Sequence, residues 1–539
     1  MAGQVWPELI SENLAFRLGE RPVFDYVRMN AEESSDQTAI TFQGAKISYR
    51  LLQKQADAFA SFLLKRGLKK GDRVALYLPN CPQFVIALFG AQKAGAIVSP
   101  CNPMFKEWEL QYQLKDMQPR VIVLLNAFYD RFLNIGDTGI DTVIMTGISD
   151  FAGIPAQRAL PSGVIDFYET TLTDEEESLI PDVQMEDFCL MIYTSGTTGL
   201  PKGVMLTHRN LLFKAACAAT VYGFQKDDVF LSVMPIYHVA GLLAGISVPI
   251  YVGAQLVLLP QFEPELAMEA IDQNHCTIAY TVTPMNVAIM AQPKQEAYNL
   301  TSLRLNMCSS FGISITEELS DRWGKLTGGC KLFESSFGMS ETCGFDTFMP
   351  LSKIKFGTVG IPVYECQINI VDQETGSEAM PVGQSGEILI RNPGVFREYW
   401  NRPEETAEAL KDGWLHTGDM GKLDEDGYLV FLGRKKEMIK SSGYSVFPEE
   451  VELYLLKHPA IRAAAVIGLP DPQRGEVVKA FVVLRPEFTG RVTEDEIIQW
   501  AKEKISNYKC PRLVEFRSEL PASGTGKVLR RLLAAEVPK

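Results

Sequence analysis

A glycine- and hydroxyl-rich segment is the feature of this sequence with the clearest chemistry. Residues 191–203 read MIYTSGTTGLPKG, in which an apolar run gives way to hydroxyl residues, glycines, a proline and a lysine. Such a composition suits neither a strand nor a helix. Glycines let backbone N–H groups converge on an anion, while hydroxyls and a lysine add donors and charge. The segment therefore predicts a polyphosphate loop, with a flexible turn as the alternative.

The position of this loop supports the phosphate interpretation. The preceding FCLMIY predicts a buried strand, and open α/β sheets bind ligands at the carboxyl ends of their strands. The loop does not have the Walker A pattern, which needs GxxxxGK followed by Ser or Thr. The later GTGK segment does not fit that pattern either.

The overall composition indicates an ordinary globular protein with several domains. The chain has 539 residues, of which 46% are hydrophobic and 22% charged, and this length exceeds what one core supports. The excess of 66 acidic over 52 basic residues gives a net charge of −14. Nucleic-acid binding needs a basic surface, so the charge argues against that class of partner.

The cysteines and apolar segments favour a reduced, cytoplasmic protein without a transmembrane segment. The ten cysteines are scattered, without a CxxC pair or zinc-type spacing, so we expect buried thiols. The N-terminal residues lack the basic and apolar regions of a secretory signal. Residues 239–259 are apolar enough to resemble a membrane span, but Pro249 and three glycines predict a buried helix followed by a core strand.

The order of helix and strand patterns predicts an α/β fold. Helical and strand patterns alternate in the first part, as in LLQKQADAFASFLLKRG and DRVALYLP, which favours parallel sheets with helices on both faces. Short strands separated by turns begin near residue 350 and favour antiparallel pairing. We therefore expect a large N-terminal domain (1–432) of parallel α/β sheets plus a small β-barrel-like part. A boundary at residues 433–436 separates it from a small α+β C-terminal domain (437–539).

Further motifs follow the loop in order and together resemble one family. They are KAGAIVSPCNP (93–103), PIYHVAG (235–241), FGMSET (337–342), GEILIRNPGVFREYW (386–400), WLHTGD (414–419), GRKKEMIKSSGYSVFPEEVE (433–452), YKCP (508–511) and LPASGTGKVLRR (520–531). The set resembles the adenylate-forming superfamily, which contains acyl-CoA synthetases, adenylation domains of nonribosomal peptide synthetases and beetle luciferases. The resemblance covers nearly the whole chain.

The resemblance implies a two-step reaction. A carboxylate attacks the α-phosphate of ATP to give acyl-AMP and pyrophosphate, and a thiol, usually of coenzyme A, then takes the acyl group and releases AMP. The protein mainly positions the reactants and compensates charge. The implied partners are a small-molecule carboxylic acid, ATP and coenzyme A, with Mg²⁺ as cofactor. No nucleic acid is implied, and a homodimer is left open.

The resemblance also assigns the nucleotide site. Its phosphate loop corresponds to Thr194, Ser195, Gly196, Thr197, Thr198, Gly199 and Lys202. Glu341 matches the acidic residue that helps hold Mg²⁺, a hard cation that prefers oxygen ligands. Asp419 matches the carboxylate that accepts the ribose hydroxyls, and Arg434 matches the arginine beside it. The other nucleotide contacts are expected at Ser309, Ser310, Phe311, Phe337, Gly338, Met339 and Ser340.

Two lysines are implied in the two steps. Lys527 matches the lysine that bridges carboxylate and phosphate oxygens during adenylation, where a compact cation offsets developing charge. In the family the C-terminal domain then rotates about a hinge, here Lys436, and presents a thiolation face. That face corresponds to Lys440, Ser441, Ser442 and Gly443.

The acid-binding pocket carries the departures from the family pattern. Ser309-Ser310-Phe311-Gly312 stands where relatives commonly have Gly-Gly-Ala-Pro, and Phe311 fills part of the acyl tunnel, stacks on adenine or turns into the core. FGMSE replaces the usual YGxTE. The pocket is expected to be formed by His238, Val239, Ala240, Met285, Phe311 and Gly338. It holds no charge to meet a second carboxylate or an ammonium group, which favours a hydrophobic acid.

These observations favour an acid–thiol ligase of the acyl-CoA synthetase type, with Lys527, Glu341, Lys440 and His238 as catalytic residues. One alternative is an adenylation enzyme that loads a carrier protein, which is disfavoured because no carrier domain follows Lys539. A luciferase is disfavoured because the sequence ends EVPK rather than SKL. The other alternative is an inactive nucleotide- or acyl-binding relative.

Overall fold

The computed structural model describes residues 14–151, 159–174, 179–194, 201–310, 313–441, 444–471, 474–505, 507–523 and 528–536. The strands are β1 (Thr38–Phe42), β2 (Ala45–Ser48), β3 (Arg73–Tyr77), β4 (Ile97–Pro100), β5 (Val121–Leu125), β6 (Thr142–Thr146), β7 (Val164–Asp166), β8 (Phe188–Thr194), β9 (Lys202–Thr207), β10 (Val229–Ser232), β11 (Gln255–Leu258), β12 (Ile278–Val282), β13 (Leu305–Ser309), β14 (Leu332–Glu334), β15 (Thr347–Phe348), β16 (Ile361–Pro362), β17 (Gln367–Val371), β18 (Gly386–Arg391), β19 (Glu398–Tyr399), β20 (Leu410–Lys411), β21 (Trp414–Leu423), β22 (Leu429–Arg434), β23 (Ile439–Ser441), β24 (Tyr444–Val446), β25 (Ile461–Asp471), β26 (Gly475–Leu484) and β27 (Leu513–Phe516). The α-helices are α1 (Val23–Glu33), α2 (Tyr49–Lys65), α3 (Pro82–Lys93), α4 (Glu107–Met117), α5 (Tyr129–Asn134), α6 (Phe167–Thr170), α7 (His208–Tyr222), α8 (Val239–Leu242), α9 (Val248–Val252), α10 (Pro264–Asn274), α11 (Thr283–Met290), α12 (Glu317–Leu326), α13 (Pro403–Ala409), α14 (Pro448–Leu455), α15 (Glu494–Lys504) and α16 (Arg530–Ala535).

Two large sheets form the first part of the molecule. The first has the strand order β19-β9-β8-β4-β3-β5-β6-β7, and the second has the order β14-β13-β12-β10-β11-β1-β2. Most neighbouring strands are parallel, but β9 runs antiparallel to β8 and β19, and β2 runs antiparallel to β1. The sheets are therefore parallel for the most part, with antiparallel strands at their edges, and short connections return the chain from β1 to β2 and from β8 to β9.

The main hydrophobic core contains residues of both large sheets and the helices packed on them. Every residue of α3 except Lys93 is buried, as expected for a helix that is apolar on all sides. This helix packs closely on α2, because Gly90 has no Cβ. A Cβ there would lie 2.6 Å from the Ala56 carbonyl oxygen.

The remaining strands form smaller sheets. An antiparallel sheet follows the order β17-β18-β21-β20, with β22 on β21, and agrees with the short strands expected after residue 350. The strand β21, which carries the WLHTGD motif, was not recognised from its sequence. The last sheet has the order β24-β23-β26-β25, with β27 on β26, and has its own core around Val466 and Val482. The predicted α/β fold class is confirmed.

The apolar segment after His238 is a buried helical run followed by a strand, as predicted. It comprises α8, a π-helical turn (Leu243–Ser247), α9 and then β11. Among the described residues, no helix combines the length and apolarity needed to cross a bilayer. All ten cysteines are buried and free of disulfides, which confirms the expected buried thiols.

Candidate active site

The phosphate loop closes a hairpin between β8 and β9. Thr194 at the end of β8 lies opposite Lys202 at the start of β9. The predicted phosphate contacts Ser195, Gly196, Thr197, Thr198 and Gly199 lie outside the described residues. The hairpin agrees with a loop at the carboxyl end of a buried strand, although its return as a strand was not predicted.

Both ends of the loop are attached to helix α4. The Tyr112 hydroxyl donates to the Pro201 carbonyl oxygen over 2.8 Å, and the Tyr193 hydroxyl donates to Asp116 Oδ2 over 2.6 Å. Arg402 donates to the other oxygen of the Asp116 carboxylate over 3.0 Å. These contacts attach the described flanks of the loop, Tyr193 and Pro201, to α4. The sequence had given no signal for this support.

Glu341, the predicted metal ligand, lies on a short 3₁₀ turn (Ser340–Thr342) and is 7% exposed. The Tyr399 hydroxyl donates to Glu341 Oε1 over 2.8 Å. Lys202 Nζ lies 4.7 Å from the centre of the same tyrosine ring, a cation–π distance. The structure thus brings Lys202, a predicted phosphate contact, and Glu341, the predicted metal ligand, to opposite parts of the Tyr399 side chain, which sequence reasoning missed.

A buried ion pair supports the 3₁₀ turn that carries Glu341. Lys214 and Asp346 pair over 2.7 Å, and both side chains are 0% exposed. The Asp346 carboxylate also accepts hydrogen bonds from Thr342 Oγ1 and, over 2.9 Å, from Asn392 Nδ2. Burial raises the pKa of Asp346, whereas Lys214 and the hydrogen bonds act against that rise. One carboxylate therefore joins α7, the Glu341 turn and the segment after β18.

The ribose-binding candidates face each other on paired strands. Asp419 on β21 lies opposite Arg434 on β22, and Arg434 Nε lies 2.8 Å from Asp419 Oδ1. The Asp419 side chain is 3% exposed. Its backbone N–H donates to Thr417 Oγ1 over 3.0 Å, which fixes the turn. This pair presents one carboxylate and one guanidinium at the edge of the small antiparallel sheet.

The FGMSE segment between these groups is tightly packed. Gly338 needs to be glycine, because a Cβ would lie 2.4 Å from the Phe345 nitrogen. Phe337 is buried, and its ring centre lies 5.8 Å from that of Phe431 on β22. Met339 and Ser340 are half-buried and precede the Glu341 turn. Phe337 thereby connects the turn with the strand that carries Arg434.

Ser309 and Ser310 lie at the carboxyl ends of parallel strands, together with a carboxylate that the sequence did not reveal. Ser310 donates to Glu334 through its backbone N–H over 2.8 Å and through its hydroxyl. Burial raises the pKa of Glu334 to about 7. The Ser309 Oγ lies 3.5 Å from the Tyr280 hydroxyl. Phe311 and Gly312 lie outside the described residues, so the predictions for Phe311 remain predictions.

His238, the candidate at the mouth of the acid pocket, precedes α8 at its N-cap. Burial lowers its pKa to about 4, so the imidazole is neutral near pH 7. Its ring centre lies 5.0 Å from that of Tyr237. A neutral ring in an apolar wall is compatible with binding the hydrocarbon part of an acid.

The other pocket candidates divide between two cores. Val239 belongs to the main core and Ala240 is half-buried beside it, whereas Met285 on α11 packs against the separate cluster around Trp323. Within the part of the chain that the structure describes, Met285 and His238 share no hydrogen bond, ion pair or ring contact, and Met285 lies in a different cluster from Val239, the neighbour of His238. Their membership of one acyl pocket stays a prediction.

The predicted hinge is fixed on both sides. Lys435 pairs with Glu387 on β18 over 2.7 Å, and Glu437 pairs with Arg530 on α16 over 2.6 Å. Between them, Lys436 is exposed. The backbone of Lys440 and Ser441 forms β23. Two residues of the thiolation face, Ser442 and Gly443, and the catalytic candidate Lys527 lie outside the described residues.

The acidic groups at the site fit a metal brought in with a nucleotide. Within the described part of the chain, no three His, Cys, Asp or Glu side chains gather into a metal-binding group. Glu341 therefore stands as a single protein carboxylate, with one oxygen fixed by Tyr399. Mg²⁺ is commonly held by one or two carboxylates plus substrate phosphates, which matches this arrangement.

Comparison with known proteins gives the family. The family model described as AMP-binding enzyme matches residues 27–400, and that of the AMP-binding enzyme C-terminal domain matches residues 450–527. A long-chain-fatty-acid–CoA ligase of Bacillus subtilis is 38% identical over 527 residues, covering 94% of this chain and 93% of that protein.

Solved structures agree with this match. The crystal structure of an anthranilate CoA ligase in complex with anthranoyl-AMP has a TM-score of 0.85 and 28% identity, and covers 96% of this chain and 97% of that one. ATP-bound MatB from Rhodopseudomonas palustris has a TM-score of 0.83 and 28% identity, and covers 95% and 98%. The resemblance stated from the motifs is confirmed. The chain belongs to the AMP-binding enzymes, the ATP-dependent adenylate-forming family that includes the acid–CoA ligases.

Proposed function

We propose that this acid–CoA ligase activates an uncharged hydrophobic monocarboxylic acid, with long-chain fatty acids as its first candidates. The carrying observation is the convergence of Lys202 and Glu341 on one buried tyrosine, because adenylation needs a phosphate-binding cation and a metal-binding carboxylate in one place. The neutral His238 beside buried Val239 supports a hydrophobic acid. The fatty-acid ligase of Bacillus subtilis supports the candidate class.

In this proposal each group has a defined task. Lys202 and the loop N–H groups bind the β- and γ-phosphates, while the Asp419 carboxylate accepts the ribose hydroxyls beside Arg434. Glu341 supplies a carboxylate oxygen to Mg²⁺, which offsets phosphate charge when it is bound. Ser340 donates to the α-phosphate. We assign Lys527 to adenylation and residues 440–443 to coenzyme A transfer, and the resemblance of their motifs to the family supports both assignments.

The change between the two steps is proposed to occur at Lys436. The last sheet consists only of strands that begin at Ile439 or later, which supports a domain of residues 437–539 after a hinge at 433–436. An exposed charged residue can change its backbone angles without uncovering core. A Lys436→Pro variant fixes the φ angle and is expected to slow thioester formation more than adenylation.

The experiment measures pyrophosphate and AMP with Mg-ATP, with and without coenzyme A. The panel contains short, medium and long fatty acids, aryl acids, and as contrasts a dicarboxylic acid and an amino acid. A hydrophobic acid that yields pyrophosphate alone, and AMP when coenzyme A is added, supports the proposal. Turnover restricted to the dicarboxylic or amino acid contradicts the proposed acid class.

A matched pair of lysine variants tests the catalytic assignment. Lys527→Ala is expected to lose pyrophosphate formation by at least a hundredfold while ATP binding changes little, since the lysine acts in the transition state. Lys331→Ala removes an exposed lysine that pairs with Asp321 and serves as the control. Equal activity of both variants contradicts the role of Lys527.

Location and assembly complete the proposal. Ten buried cysteines that form no disulfides support a reducing compartment such as the cytoplasm. Cell fractionation tests this location. A homodimer is the assembly to test first, by light scattering of the purified chain.

A further inference from the structure

Backbone pairing between β19 and β9 places Tyr399 at the site. It lies on β19, directly opposite Val204 of β9. The Trp400 backbone N–H donates to the Gly203 carbonyl oxygen over 2.8 Å and extends this pairing. Lys202 is two residues from Val204 on the same strand, so it projects from the same face as a diagonal neighbour of Tyr399.

The Glu341 turn reaches the same tyrosine from the other side. The Phe396 backbone N–H donates to the Glu341 carbonyl oxygen over 2.7 Å, which fixes the turn to the segment that leads into β19. The Tyr399 side chain is 8% exposed and Glu341 is 7% exposed. A hydrogen bond to a charged group in such a buried place is stronger than one in water.

Two opposite charges therefore share one ring without pairing. Lys202 lies over the ring face and Glu341 accepts from the hydroxyl, and among the described residues no ion pair joins the two. A direct lysine–carboxylate pair would compete with both ligands that the proposed function requires, because the phosphates need the cation and the metal needs the carboxylate. The ring and hydroxyl keep both groups available.

We propose that Tyr399 is a positioning residue for the metal–ATP complex. Its hydroxyl holds Glu341 Oε1, so that the second carboxylate oxygen is directed to Mg²⁺, and its ring holds the Lys202 ammonium until phosphate replaces it. This inference rests on the proposed function, in which Glu341 binds the metal and Lys202 the phosphates. Tyr399 thus acts on the metal and the phosphates through Glu341 and Lys202.

The test separates the hydroxyl from the ring. Tyr399→Phe removes only the hydroxyl and is expected to raise the half-saturating Mg²⁺ concentration about tenfold, with ATP affinity in EDTA unchanged. Tyr399→Leu removes both contacts and is expected to weaken ATP binding in EDTA as well. Calorimetric ATP titrations of the full chain, with and without Mg²⁺, give these values independently of turnover.

The control is Tyr49→Phe. Tyr49 is also buried, and its hydroxyl donates to a backbone carbonyl over 2.6 Å, remote in sequence from every site residue. The Tyr49→Phe variant is expected to give the same ATP titrations as the wild type, with and without Mg²⁺. A Tyr399→Phe protein whose Mg²⁺ dependence equals that of the Tyr49→Phe control overturns the inference. If Tyr399→Leu does not fold, the Tyr399→Phe comparison still decides.

A double-mutant cycle tests the coupling to Glu341. In a Glu341→Gln background, Tyr399→Phe is expected to have no further effect on Mg²⁺ dependence, because the held carboxylate is already gone. A full additional effect in that background overturns the inference. Wild-type protein that binds Mg-ATP but forms no acid-dependent pyrophosphate contradicts the proposed function instead, and the titrations still decide the role of Tyr399.

Discussion

Two regions of the molecule bury charged side chains in different ratios of positive to negative charge. In the first part, Lys214 and Asp346 form a balanced pair with no exposed side-chain surface. Near the C-terminus, Arg530 meets three carboxylates within 2.8 Å, those of Glu437, Glu449 and Glu452. The first cluster is neutral and hydrogen-bonded, whereas the second has excess negative charge.

The difference follows the mechanical demands of the two places. The Lys214 pair supports the Glu341 turn, which must keep one geometry for binding. The Arg530 cluster joins α16 and α14 to Glu437, all within the proposed C-terminal domain and next to its hinge. Surplus carboxylates around one guanidinium leave that contact sensitive to pH. The balanced pair fixes the Glu341 turn, whereas the unbalanced cluster contains carboxylates whose pKa values are raised by burial.

The largest effect is expected from breaking the balanced pair. Lys214→Met leaves the Asp346 carboxylate buried without its cation and should reduce the free energy of unfolding by about 3–5 kcal/mol. Denaturant titration of the purified protein measures this loss.

The double variant Lys214→Met/Asp346→Leu sharpens the prediction. Two apolar side chains of similar volume should recover most of the stability, because a buried pair is often replaceable in this way. Pyrophosphate formation should stay below wild type, since Thr342 loses its acceptor and the Glu341 turn is no longer fixed. Full recovery of both properties would show that the pair is only structural.

The unbalanced cluster predicts a loss of stability as pH rises. Burial raises the pKa of Glu449 to about 7 from an ordinary value of 4.5, against the attraction of Arg530. The folded state therefore binds this proton more tightly, a contribution that is complete below pH 4.5 and lost as pH rises through about 7. Local stability of α14 should fall by up to about 3 kcal/mol between pH 5 and 8.

Hydrogen exchange of the α14 amides measures this change. Glu449→Gln, which resembles the protonated form, should flatten the pH dependence. If the pH dependence of α14 stability persists unchanged in Glu449→Gln, it arises from another group, such as the neighbouring Glu452.

The first part of the chain predicts the opposite slope. Burial lowers the pKa of His208, at the start of the helix that carries Lys214, to about 3, with Asp187 acting against the shift and Lys70 adding to it. Below about pH 6.5 the His208 imidazole binds a proton in the unfolded chain but stays neutral in the folded state. Stability of α7 should fall by about 2 kcal/mol from pH 6.5 to 5, as read by hydrogen exchange.

His208→Asn is the matched variant for this slope. It removes the titrating ring, so the difference between its exchange rates and those of the wild type should vanish in acid and reappear near neutrality. Parallel curves across the whole pH range would contradict the assignment to His208.

The smallest effect is expected from an exposed pair. Lys331 and Asp321 pair over 2.6 Å, but their side chains are 51% and 52% exposed. Lys331→Ala should change the free energy of unfolding by less than about 0.5 kcal/mol, since solvent screens such pairs. A loss as large as that of Lys214→Met would remove burial as the reason for the contrast.

The sequence alone determined the fold class and the family, and it predicted the chemistry of the site. The loop 191–203, the strands around residues 367–391 and the buried helix after His238 follow from local composition and periodicity, which act over a few residues. Glu341, Asp419 and Arg434 were predicted as site residues because their motifs follow one another in a fixed order. Strand β21 escaped notice because Gly418 and its polar neighbours interrupt the alternation of a strand.

The tertiary structure alone decided how these groups support one another. A lysine on a helix is normally exposed to solvent, yet Lys214 is fully buried, because it pairs with Asp346 from a distant segment. Tyr399 and Glu334 gave no local signal, since their partners, Glu341 and Ser310, come from other strands and turns. Local patterns specify which backbone conformation an element adopts. Contacts between remote side chains depend on how the sheets pack, so only the tertiary structure shows which residues support the predicted site groups.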